Sequence, residues 1–258
     1  MTEGVLPEEL RGPLSAFAED LKERLPDVRS VLVYGSAARG DYVHGVSDVN
    51  VLVIAGSLPP KALRAAAHSV RHWRERIPLS PIFATKDYLH MSADVFPLEF
   101  LDMRDAHIAL LGADPLESLQ IDPANLRHQV EAELKGKLMR LRAAYVRACG
   151  NPQAVADLMR DSLASFRIAF QGLLRLHGEK PPTSRTEIMK AVGSDFDLDS
   201  GALLSVVALH KGESLQNGDA DALFERYLAS VERLVDVIDT WSTRGESPTG
   251  KEDSDHEQ

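Results

Sequence analysis

Two short stretches of this chain carry residue types and spacings suited to a charged ligand. The first is Gly35-Ser36, directly after the apolar run Val31–Tyr34. A glycine lets the backbone approach a phosphate closely, and a serine offers both a hydroxyl and an amide to its oxygens. Arg39, one turn further on, can reach the same anion. The second stretch is Ser47-Asp48-Val49-Asn50, at the entrance of the apolar run Val49–Ile54. Side chains alternate along a strand, so Asp48 and Asn50 share one face while Val49, Val51 and Val53 share the other. Two oxygen donors side by side can hold a hard cation. The plainer alternative is a hairpin whose polar residues are turn formers and caps.

With apolar strands on both sides, Gly35-Ser36 followed by Ser47-Asp48-Val49-Asn50 resembles the Gly-Ser…Asp-x-Asp signature of the nucleotidyltransferase superfamily, the polymerase-beta-like fold. The likeness is to its small bacterial and antibiotic-modifying members. It is clear over Val31–Ile54 and looser on to Pro115. The resemblance implies transfer of a nucleoside monophosphate from a nucleoside triphosphate, taken as ATP, to an acceptor hydroxyl, with pyrophosphate leaving. It also implies magnesium as the cofactor. Carried onto these residues, it makes Gly35, Ser36 and Arg39 the nucleotide cradle and Asp48, Asn50 and a third carboxylate the metal ligands. In the family that third carboxylate sits on a strand beside the first two. Glu99 is the choice for it, within a strand expected over Phe96–Met103, and Asp94 and Asp102 are its rivals. Asp48 and Glu99 are then the catalytic carboxylates, although Glu99 can instead serve as general base toward the acceptor.

One position departs from the signature: Asn50 stands where the family has its second aspartate. That keeps a second reading open, a catalytically weak or inactive nucleotide-binding, regulatory pseudoenzyme whose helical half binds a partner protein. A third, transfer of the nucleotide onto a protein acceptor, shares the chemistry.

The rest of the chain must position these groups. Leu14, Phe17, Leu21 and Leu25 recur at helical spacing before Pro26. Pro59-Pro60 suits a helix start, and Leu63, Ala66, Val70, Trp73 and Ile77 form its stripe. Leu79–Ala84 reads as a strand that Pro81 confines to an edge or bulge. Thr85 caps a short helix. Ile108–Leu111 reads as a last short strand. Beyond Asp122-Pro123 strand patterns vanish. Leu126 to Tyr145 and Val155 to Leu176 mark two long helices. Ser184-Arg185-Thr186-Glu187 is a capping box, and Asp199 and Asp219 open two further helices. The fold class expected is therefore α+β: a mixed-sheet nucleotidyltransferase-like domain over 1–120, an all-α helical bundle over 121–244, and a polar, disordered tail over 245–258.

Composition sets the remaining bounds. The 258 residues carry a formal net charge of −10, which argues against broad nucleic-acid binding and is compatible with a cationic acceptor. The acceptor is expected to be a small molecule or a protein. Cys149 is the single cysteine, so neither an internal disulfide nor a cysteine-held zinc is expected. There is no signal pattern and no apolar run of membrane-spanning length, which leads to a cytoplasmic expectation. Two further features are noted. His44 lies in the motif loop. The run Lys135, Lys137, Arg140, Arg142 and Arg147 on the long helix reads either as a solvated face or as a frame for a triphosphate. Glu131 and Glu133 read either as acids of that helix's first turn or as a site for a cationic acceptor. An Arg-to-His ribonuclease spacing is lacking in the helical half.

Overall fold

The computed structural model describes residues 6–213 and 219–243, so the tail expected over 245–258 lies outside the described residues. The chain divides into two compact units, Met1–Gln129 and Val130–Gln258.

The first unit is built on a four-stranded sheet. Its strands are β1 (Val28–Tyr34), β2 (Val49–Ala55), β3 (Leu79–Ala84) and β4 (His107–Gly112). They lie in the order β3-β2-β1-β4. β1 runs antiparallel to both β2 and β4, and β2 and β3 run parallel. β3 is an edge strand, as Pro81 requires. The helices of this unit are α1 (Glu8–Arg24), α2 (Ser36–Arg39), α3 (Pro60–Arg74), α4 (Lys86–Met91) and α5 (Pro97–Asp105).

Alternation along the strands separates two cores. Val31, Val33, Val49, Val51 and Val53 face Leu14, Phe17 and Leu21 of α1 and Ala66 and Trp73 of α3. Leu32, Leu52 and Ile54 face the other way, against Leu89 of α4, Phe100 and Met103 of α5, and Leu116 and Leu119. At about 1.5–3 kcal/mol for each fully buried large apolar side chain, these two cores hold the sheet between its helices.

The expected strand over Phe96–Met103 is a helix, α5. The alternation of Phe96, Leu98 and Phe100 satisfies a strand, but the buried set Pro97, Leu98, Phe100, Leu101 and Met103 also fits one side of a helix. Pro97 at the first helical position is pre-set for that choice. Thr85 does cap α4, its hydroxyl accepting from the Tyr88 amide at 3.1 Å.

The helix α6 (Pro123–Ala148) crosses from the first unit into the second. Gln129 is tied to α5: its side-chain oxygen accepts from the Leu98 amide at 2.7 Å and its amide donates to Glu99 at 2.7 Å. These bonds tie the start of α6 to α5. Glu131 and Glu133 are not first-turn acids, because the helix begins at Pro123. They pair one turn on with Lys135 and Lys137, each at 2.6 Å, an arrangement that supports helices modestly.

The described residues of the second unit form helices and connecting turns, with no strand. The unit continues with α7 (Pro152–Leu176), α8 (Arg185–Asp195), α9 (Ser200–His210) and α10 (Ala220–Thr243). Asn151, Ser184, Asp199 and Asp219 each cap a helix by accepting from the backbone amide three residues on. Leu163, Phe166, Phe170, Ile188, Val192, Leu203, Val206, Tyr227, Val231 and Leu234 form its interior. The Tyr227 hydroxyl, fully buried, shares a 3.0 Å hydrogen bond with Ser162. Burial raises its pKa, with the Ser162 bond opposing.

His210 lies partly buried against Arg185 and the Arg160 carbonyl. Burial, then the positive charge of Arg185, lowers its pKa below the ordinary value. The unfolded chain therefore binds this proton more readily than the folded one. The associated stability is fully present above about pH 6.5 and is lost as pH falls through that value toward the depressed one. Thermal melts across pH 5–8 should show this slope, and His210→Gln should flatten it. A slope unchanged in His210→Gln would assign it to another group.

Candidate active site

The site is assembled at one end of the sheet by the pairing register. β1 ends at Tyr34, and Gly35 follows with φ 77° and ψ −142°. That region is essentially restricted to glycine. The Gly35 amide donates to the Ala106 carbonyl at 3.2 Å. A Cβ added to Gly35 would lie 3.1 Å from Asn50 Nδ2, so the missing side chain is what allows the two strands to meet here. Ser36 opens α2, a single helical turn within the motif loop. Gly40 closes it in the left-handed conformation, its amide donating to the Ser36 carbonyl at 3.1 Å. The chain returns through Gly45, and Ser47 Oγ accepts from the Val43 amide at 3.1 Å. Asp48, exposed, then stands directly before β2.

Register places four residues in one row across the sheet. Asn50 is opposite Tyr34 on β1 and opposite Ser80 on β3, and Tyr34 is opposite His107 on β4. Asn50, Tyr34 and Ser80 are all partly exposed. Burial, and then the negative charge of Asp102, raises the pKa of Tyr34. Its hydroxyl stays protonated at neutral pH and can donate to an anion. His107 is held on both sides, by the Met103 carbonyl at 3.1 Å and by Asp114 at 2.8 Å.

The expected site residues fall into two groups. Gly35, Ser36, Asp48 and Asn50 are brought together by the β1–β2 pairing. Arg39 and Glu99 stand differently. Arg39 Nη1 donates to Asp102 Oδ1 at 3.0 Å and its Nε lies 3.6 Å from Asp41, with only 9% of the Arg39 side chain exposed. Glu99 is exposed in the first turn of α5 and accepts from Gln129. It is not a strand residue, so it does not fill the position beside Asn50; Tyr34 and Ser80 do. Asp94 lies exposed before α5. Asp102 and Glu99, three residues apart, share one side of α5 rather than opposite strand faces.

Ser80, Tyr34 and His107 carry no local mark of a site in the sequence, and Asp102, a rival for the third carboxylate, is instead paired with Arg39. Ser80 sat within a recognised strand, but nothing local reports which residue it pairs with. His44 contacts Glu9 at 3.2 Å, both exposed. In the second unit, Lys135, Lys137 and Arg142 are paired with acids, which fits the solvated-face reading. Arg140 and Arg147, with Lys137, line a cleft of about 430 Å³ between α6 and α7.

The donor set can be tested against magnesium. Magnesium is commonly held by one or two carboxylates together with substrate phosphates. Asp48 and the Asn50 carbonyl meet that minimum for one ion carried in with a triphosphate. The row beside them supplies no further carboxylate.

Residues 14–97 match the family model of the nucleotidyltransferase domain. The matched segment holds β1, the motif loop, β2 and β3, and is of the nucleotidyltransferase type. The chain is also similar in fold to the crystal structure of spectinomycin adenyltransferase AAD(9) from Enterococcus faecialis with ATP and spectinomycin. The TM-score is 0.52 at 10% sequence identity, covering 86% of this chain and 98% of that one. No curated protein matches the chain in sequence. Among the described residues no helix is long and apolar enough to cross a membrane.

Proposed function

We propose that the first unit binds a nucleoside triphosphate, with ATP as the first choice, at the sheet end formed by Gly35, Ser36, Asp48 and Asn50. The reaction such a site serves is transfer of a nucleoside monophosphate. The acceptor hydroxyl forms a bond to the α-phosphorus, the bond to the departing pyrophosphate breaks, and the acceptor gives up its proton. The acceptor is a small molecule or a protein, and the expected setting is the cytoplasm. The observation that carries the reading is the apposition of Gly35 and Asn50 within the motif. A glycine-only backbone lets the loop close against the second strand and turn the Ser36 hydroxyl and amide to a site that phosphates can approach. The protonated Tyr34 hydroxyl supplies a further donor. A magnesium ion, when bound, would offset triphosphate charge and assist the leaving oxygens. Asp48 and Asn50 would hold it.

Slow or absent turnover is the second reading, and the strand row favours it. Asn50 and Ser80 are neutral, which leaves Asp48 as the carboxylate at the strand entrance. Calorimetry with ATP and magnesium, paired with a pyrophosphate-release assay, tests both readings. Wild type should bind ATP and release pyrophosphate slowly. Asn50→Asp adds the missing charge and should tighten magnesium in the presence of ATP by about tenfold, since site affinity follows ligand charge. The gain should grow as pH rises, because paired carboxylates retain protons at lower pH. Absence of ATP binding in wild type would overturn the proposal. Unchanged magnesium affinity in Asn50→Asp would remove Asn50 from the ligands.

A further inference from the structure

We propose that the helical unit carries a second, separate site, for a divalent transition-metal ion of the zinc type, formed by His177, Glu179 and Asp195. His177 follows the last residue of α7, Glu179 lies just beyond it, and Asp195 is the last residue of α8. One ligating atom from each lies within 4.8 Å of the other two. A ring nitrogen with two carboxylate oxygens suits zinc, cobalt or nickel, whereas magnesium and calcium take oxygen donors. Bonds of about 2.0–2.2 Å would draw the three atoms slightly closer and leave a fourth position to water. His177 and Glu179 are exposed, so their side chains can make that adjustment. The two carboxylates balance the charge of a divalent cation.

Three observations support a cation here. The C-terminal ends of α7 and α8 converge at this point, and helix C-termini carry negative partial charge. Asp195 Oδ2 is sealed from solvent and accepts no hydrogen bond. A sealed carboxylate oxygen with no donor is costly, and a bound cation removes that cost. Finally, the His177 ring packs against two aromatic neighbours that also touch each other. Its centroid lies 5.4 Å from that of Phe196 and 6.3 Å from that of Trp241, nearly parallel to the latter. Such outer contacts fix the orientation of a ligating imidazole.

The test uses the full chain, stripped with a chelator and titrated with zinc by calorimetry at pH 7.5. One equivalent should bind with micromolar affinity or better and raise the melting temperature. His177→Gln and Glu179→Gln, both at exposed positions, should each weaken binding at least tenfold while leaving the fold intact. Asp48→Asn should leave zinc binding unchanged. In a Trp73→Phe chain, where Trp241 is the remaining tryptophan, nickel or cobalt should quench emission saturably. Three results would each overturn the proposal: no saturable zinc binding in wild type, binding undiminished in the His177→Gln/Glu179→Gln double variant, or binding lost in Asp48→Asn.

Discussion

Gly35→Val should abolish measurable nucleotide binding and lower the stability of the first unit by about 2 kcal/mol. The backbone at Gly35 has φ 77° and ψ −142°, a conformation that costs a branched residue about 1–3 kcal/mol. The new side chain also meets Asn50, because its Cβ alone would sit 3.1 Å from the amide nitrogen. Relief of that contact must come from moving the start of β2 or the α2 turn, and both carry residues of the proposed phosphate cradle. Chemical denaturation measures the stability loss, and calorimetry with ATP and magnesium measures binding. Gly35→Ala separates the two causes, since it keeps the backbone penalty with less bulk and should retain some affinity. A folded Gly35→Val chain with unchanged ATP affinity would sink the assignment of this loop.

The largest stability effect is expected from Asp102→Ala. Arg39 and Asp102 form an ion pair with 9% and 14% of their side chains exposed. Removing one partner leaves a largely buried guanidinium short of a counter-charge, and breaking such pairs costs on the order of 3 kcal/mol. Asp102→Asn keeps an acceptor but not the charge, so about 1 kcal/mol is expected. Urea midpoints should therefore fall in the order wild type, Asp102→Asn, Asp102→Ala. Equal midpoints would mean that the pair is well solvated and that α2 is not anchored to α5 through it.

The strands that build the site were legible because β1 and β2 are short buried runs bounded by glycines and polar residues. Those features are local. Helix caps at Thr85, Ser184, Asp199 and Asp219 were legible for the same reason. Phe96–Met103 misled because its apolar positions satisfy both a period of two and a helical face, and only Pro97 favours the helix. That ambiguity carried Glu99 with it. Ser80 became visible only through the parallel β2–β3 register, a long-range fact. The pairing of Asp102 with Arg39 became visible only in the fold, because the two lie far apart in sequence. The His177, Glu179 and Asp195 grouping needs two helix ends to meet, which no spacing in the sequence reports.

Pro81 lies in the middle of β3, at the open margin of the sheet. A proline is accepted in such a strand where its nitrogen faces away from the neighbouring strand. It therefore removes one donor from the outward-facing row that another extended segment would need for continued hydrogen bonding. A sheet margin broken in this way is a poor template for a strand from another copy of the chain. The same residue that narrows where β3 can sit within the sheet thus also guards the protein against growth of fibrillar aggregates from that side.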